Sequence, residues 1–226
     1  MCADQQFWLN WYLNLAIAIA TFFAVIVALF GDNIKVFFFP LKLKIRLRNS
    51  IGEFTFIVSK ANAFGKELEM EQNARYFHLV ISNKAKYSIS NQTQVFLQRI
   101  EQLNEDGKIE IKWTGEVPMQ WMHQSIYPIA RTIGQDAICD LCYVTDRFFK
   151  LLPIISPNNL ATEYHSSTII LTLQAKGNEG VSPILKIKIE WDGIWDRDDT
   201  EMSKHFIIKD ITNDKKLIST LIFPIS

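Results

Sequence analysis

The chain has 226 residues, 48% of them hydrophobic and 21% charged, with a formal net charge of zero. That composition excludes a disordered polymer, and the balanced charge excludes nucleic-acid binding driven by bulk electrostatics. Three cysteines are too few, and odd in number, for a disulfide framework, and they suit a reducing compartment.

The first element is Phe7 to Phe30, 24 residues without a charged side chain. As a helix it would extend roughly 36 Å, enough to cross a hydrocarbon core with some tilt. Met1 to Gln6 hold no Lys or Arg, and the apolar run is too long for a signal peptide, so a retained anchor is expected over a cleaved one. Lys35, Lys42, Lys44, Arg46 and Arg48 follow the span. Lys and Arg gather on the cytoplasmic side, which predicts one span with the N-terminus out and the remainder in the cytoplasm. At about 100° per residue, Asn10, Asn14, Ala18, Thr21 and Ala28 share one arc of the helix with Ala24 at its border, while Val25 and Leu29 interrupt it. Small and amide-bearing side chains let helices approach and hydrogen-bond in lipid, so this arc is the candidate face for homo-oligomerisation. The alternative is that Asn10 lies among headgroups and the alanines are ordinary.

Three regions are expected: an anchor over 1–32, an interfacial juxtamembrane segment over 33–40, and a cytosolic β-sandwich domain over 41–226. Leu41, Leu43, Ile45 and Leu47 alternate with Lys42, Lys44, Arg46 and Arg48, the period of a strand with a core face and a basic face. Phe54, Phe56 and Val58 predict a second strand after a turn at Asn49–Gly52. Lys60 to Asn73 reads as an exposed connection. Tyr76 to Ser82 reads as a central strand, within which His78 is a satisfied core or sheet-face histidine. Asp106-Gly107 between two apolar-patterned runs predicts a hairpin, with Ile109, Ile111 and Trp113 on the core side.

Gly115 to Asp136 has no clean period, and loops of such length are commonly functional. Trp121, His123, Tyr127 and Arg131 within it form the candidate partner-binding loop. Ala137 to Val144 reads as a strand containing Cys139 and Cys142. Residues three apart on a regular strand point to opposite faces, so a shared metal or redox role is not expected and both thiols read as buried and structural. Phe148 to Ile155 reads as a short helix or buried loop. Ile169–Leu173, Leu185–Trp191, His205–Ile208 and Leu217–Phe223 complete a set of eight or nine strands, with Asp192–Glu201 as a solvated acidic tip. The fold class is a single N-terminal transmembrane helix plus a mainly-β domain, either an Ig-like antiparallel β-sandwich or a closed β-barrel.

No nucleophile elbow, zinc-protease helix, phosphate loop or dinucleotide fingerprint is present. The expectation is therefore a protein with no catalytic, cofactor or metal residues and no direct nucleic-acid contact.

Ala24–Asp32 (AVIVALFGD) followed by Phe39-Pro40-Leu41-Lys42-Leu43 resembles a group of bacterial membrane-anchored proteins with one span and a cytosolic β domain. The Trp121–Arg131 stretch, Ile133-Gly134 and Cys139-Asp140-Leu141-Cys142 are similar to that group as well. Such proteins include transmembrane effectors of retron-type antiviral systems. The resemblance implies an inner-membrane effector of abortive infection, controlled by proteins or a ribonucleoprotein of the same operon, and it transfers no functional residue. The competing expectation is a membrane-tethered protein-binding scaffold or sensor without toxicity.

Overall fold

The computed structural model describes residues 3–38, 40–63, 66–85, 89–104, 106–122 and 129–214. The chain divides into two compact units, residues 1–41 with 85–88, and residues 42–84 with 89–226.

The first unit is built on α1 (Ala3–Phe38), a helix of 36 residues. Its stretch Asn10–Gly31 is long and apolar enough to cross a membrane, and none of it is buried within the protein. The helix does not stop at Asp32 but runs through the expected juxtamembrane segment to Phe38. No proline interrupts it before Pro40, so nothing in the backbone forces an earlier end. The Thr21 hydroxyl donates to the Ile17 carbonyl at 2.8 Å, one turn back.

The second unit begins with β1 (Leu43–Leu47), in which Leu43 and Ile45 are buried while Lys44 and Arg46 are exposed, as the alternation requires. The turn after it is set by Asn49 Oδ1, which accepts from the Gly52 amide at 2.7 Å, and by Gly52 at φ +79°. Next come β2 (Glu53–Ala63), β3 (Lys66–Asn83), β4 (Ser90–Leu103), β5 (Ile109–Pro118), β6 (Arg131–Ile133) and β7 (Asp136–Val144). They are followed by β8 (Phe149–Leu151), β9 (Glu163–Tyr164), β10 (Ser167–Gly177), β11 (Gly180–Val181) and β12 (Leu185–Trp191). Helix α2 (Asp199–His205) and β13 (Phe206–Asp210) are the last described elements.

These strands form two antiparallel sheets. One of the two curls into a half-barrel. The first runs β1-β3-β7-β8-β9 with β2 also on β3. The second runs β13-β12-β10-β4-β5, with β11 on β10 and β6 on β4. Apolar side chains of the two sheets meet between them. Phe77 of the first sheet lies 4.7 Å from Phe206 of the second, and Phe149 lies 5.7 Å from Phe206 and 6.0 Å from Trp191. Such ring pairs add about 0.5–1.5 kcal/mol each beyond their buried area.

Four expectations need correcting. Lys60–Asn73 is no connection: β2 and β3 pair continuously from Glu53↔Tyr76 to Ala63↔Lys66. A strand is fixed by its backbone partner, and a polar stretch carries no apolar period to reveal it. Second, of the three apolar residues after the Asp-Gly turn, Trp113 is buried while Ile111 is 55% exposed. Trp113 pairs with Ile100 and Ile111 with Glu101, so a bulge at Lys112 switches the strand to its other face. Third, residues 149–151 are a strand, β8, paired with β7 on one side and β9 on the other. Fourth, Asp192–Glu201 is not merely a solvated tip. Asp198 caps α2, accepting from the Thr200 and Glu201 amides at 2.8 and 3.1 Å, and those bonds hold its carboxyl below the usual range. The proposed closing strand at Leu217–Phe223 lies outside the described residues.

Candidate functional site

Across the outer face of the first sheet lies a cavity of about 630 Å³, lined among others by Glu53, Tyr76, His78, Gln120, Met122 and Asp140. The sheet register accounts for this row. Glu53 is opposite Tyr76 on β2 and β3, and His78 is opposite Asp140 on β3 and β7. Trp121 bridges to Cys139, and the Asp140 amide donates to the Gln120 carbonyl at 2.8 Å. Four neighbouring stretches of chain thus each supply polar groups to one groove.

A bulge makes this possible. Phe77 pairs with Cys142 and His78 with Asp140, which leaves Leu141 as an extra residue on β7. Asp140 and Tyr143, three positions apart, therefore share the outer face with His78 and Tyr76. Cys139 and Cys142 share the inner face with Leu79 and Phe77. The expected divergence of the two thiols is thereby overturned, because it assumed an unbroken two-residue period. Both thiols are free and fully buried, as expected of structural cysteines. Burial pushes both thiols well up, and for Cys139 the neighbouring Asp140 charge adds to this. Maleimide applied at neutral pH should accordingly leave Cys139 and Cys142 unmodified in the folded protein and label both after denaturation, as read by peptide mass spectrometry. Rapid labelling of either in the folded state would contradict the buried assignment.

Within the groove, His78 is 5% exposed and its Nδ1 lies 2.9 Å from Asp140 Oδ1. An ionised carboxylate can only accept, so Nδ1 carries the proton. The other ring nitrogen, Nε2, lies 3.6 Å from Glu53 Oε2, too far for a direct bond. Glu53 is anchored through its other oxygen, 2.6 Å from Arg48 Nη1. Tyr76 stacks against His78 with ring centroids 6.2 Å apart and lies 5.2 Å from Tyr143. Burial first, then Tyr143 and Asp140, push the Tyr76 phenol up, so it stays protonated at neutral pH. Phe54 and Phe56 complete the lining, Phe56 being 52% exposed. The groove thus combines inward-facing acceptors with aromatic walls. Among the described residues no cluster of His, Cys, Asp and Glu has the arrangement to hold a metal ion.

Compared with known proteins, the chain matches no family model, no curated protein and no solved structure. The groove therefore has to be read on its own chemistry.

The residues nominated from sequence fall elsewhere. Asn10, Asn14, Ala18, Thr21, Ala24 and Ala28 are all exposed on α1. Trp121 is not a surface contact: it is 1% exposed, and its indole nitrogen donates to the Ile129 carbonyl at 2.9 Å. A large ring brought next to β7 by a backbone bridge turns into the core, where it removes most apolar area from water. Arg131 is half-buried with its guanidinium 5.7 Å from the Trp121 ring, and it borders a second cavity of about 540 Å³ beside Met122 and Asp136. His123 and Tyr127 lie outside the described residues. Sequence reasoning placed His78 correctly as a satisfied sheet histidine but missed its partner Asp140, and missed Glu53, Tyr76 and Gln120. The available signal was a histidine and an aspartate on adjacent predicted strands; the register joining them was not visible.

Proposed function

We propose that the protein is a membrane-tethered binding module. Its helix crosses the bilayer once, its β domain lies in the cytoplasm, and the groove around His78 receives a cationic Lys or Arg side chain from a protein partner. The observation that carries this reading is the groove's composition. Glu53 Oε2 and Asp140 offer carboxylate acceptors, while Tyr76 and Phe56 offer aromatic rings, which together suit a hydrogen-bonding cation. The basic residues that follow the span support the cytoplasmic placement.

A photo-crosslinking residue in place of Phe56, in the full chain in cells, should give a discrete adduct whose partner peptide carries Lys or Arg beside the attachment point. Glu53→Lys should abolish that adduct. The same group at Val181, 59% exposed on the other sheet, serves as the background. Labelling at Phe56 no different from that at Val181 would sink the proposal.

A second reading makes the helix the working part, an effector that disrupts the inner membrane in antiviral abortive infection after self-association. It is favoured by the Asn10 and Asn14 amides, which are exposed on α1 and costly to leave unpaired in lipid. Thr21 contributes less to that face, since its own donor is spent on Ile17. Exchange of Phe7–Phe30 for an unrelated monomeric span separates the two readings. A binding module keeps its Phe56 adduct, whereas an effector loses its ability to depolarise the cell.

A further inference from the structure

The start of the β domain carries a feature the groove does not use. Lys42 and Lys84 face each other across the end of the β1–β3 pair: the Lys84 amide donates to the Lys42 carbonyl at 3.0 Å, next to the Leu43↔Asn83 and Lys44↔Ser82 pairs. Like charges directly opposite on a sheet repel. Lys42, Lys44 and Lys84 are all exposed, and among the described residues none of them is in an ion pair. Lys112, Lys150, Lys176, Lys188 and Lys204, by contrast, each have a glutamate partner. The three lysines are among the residues lining a cavity of about 500 Å³, whose described lining holds a single carboxylate residue, Asp210. Ile184, 47% exposed, stands on the same rim.

We propose that this lysine-rimmed cavity is a docking site for the anionic phosphate headgroups of phospholipids. Three clustered cations with one opposing anion supply the charge complementarity, and a bound phosphate would relieve the Lys42–Lys84 repulsion. Exposed Ile184 gives the rim an apolar contact, a combination suited to a charged interface above hydrocarbon. The covalent chain adds a constraint of its own, because Lys42 follows Gly31, the end of the apolar stretch, by only eleven residues. The inference rests on the reading that the helix crosses a membrane.

The test is lysine footprinting of the full chain in lipid nanodiscs of phosphatidylcholine, with and without phosphatidylglycerol. Timed acetylation is read by peptide mass spectrometry. Lys42, Lys44 and Lys84 should each react about fivefold more slowly in the anionic discs, the factor expected for one cation at such a surface. Ion-paired Lys150 and Lys204 should react alike in both. Equal rates at the three lysines would overturn the proposal. A third arm adds inorganic phosphate to the neutral discs, and protection equal to that of phosphatidylglycerol would overturn the headgroup assignment in favour of free phosphate. Alkaline carbonate extraction of cell membranes reports separately on the helix. A chain retained in the membrane but unprotected in the discs defeats the docking site alone, whereas a released chain defeats the membrane reading and the docking site with it.

Discussion

Trp121→Ala is expected to destabilise the β domain by about 3–5 kcal/mol, the range for truncating a buried aromatic ring in a packed core. The indole is 1% exposed, donates to Ile129 and lies under the Arg131 guanidinium, so the substitution opens a cavity and leaves the Ile129 carbonyl without that donor. Urea denaturation of the full chain in detergent, followed by far-ultraviolet circular dichroism, measures the loss. Trp121→Phe should recover most of the packing but not the hydrogen bond, and so fall between the two. If Trp121 were a surface contact for a partner, its removal would change stability by no more than about 0.5 kcal/mol. A result that small would refute the core assignment.

The second large effect comes from an exposed residue. Arg75 is 1% exposed and its guanidinium is held by three groups: Asp199 Oδ1 at 2.6 Å, the Arg197 carbonyl at 3.0 Å and the Ile51 carbonyl at 3.3 Å. Asp199, in the first turn of α2, supplies the only carboxylate among them, although its own side chain is 65% exposed. Asp199→Ala should therefore cost about 2–4 kcal/mol, because it strands a buried positive charge. Glu201→Ala, two residues on, breaks an exposed pair with Lys204 and should cost no more than about 1 kcal/mol. A double-mutant cycle with Arg75→Met isolates the coupling, which should exceed about 1 kcal/mol. Equal, small losses at Asp199 and Glu201 would mean that the guanidinium does not depend on its carboxylate.

Much of the architecture was legible because it rests on periods. The apolar run of α1, the alternation of Leu43 and Ile45 with Lys44 and Arg46, and that of Leu185, Ile187, Ile189 and Trp191 with Lys186, Lys188 and Glu190 are local signals of burial, and each matches the observed element. What stayed hidden depends on pairing between distant segments. The polar half of β3 has no apolar period, and its strand is defined by β2. Asp199 looked like one acid in a solvated loop because Arg75 is 124 residues away. The groove was the least legible part, since it needs the β3–β7 register, the Trp121 bridge and the Leu141 bulge together.

That bulge has a consequence for how the groove can be altered. Which face Asp140 and Tyr143 present is decided by their pairing with His78 and Tyr76, not by the kind of residue between them. Point substitution at Leu141 changes what is packed but leaves the count, and with it the phase of β7, unchanged. Loss of the Leu141 codon would instead remove the bulge and leave Asp140 and Tyr143 two positions apart on an unbroken ladder, still on the face of His78 and Tyr76. The groove's layout follows from the pairs on either side of Leu141, and it survives both misspelling and loss of that one residue.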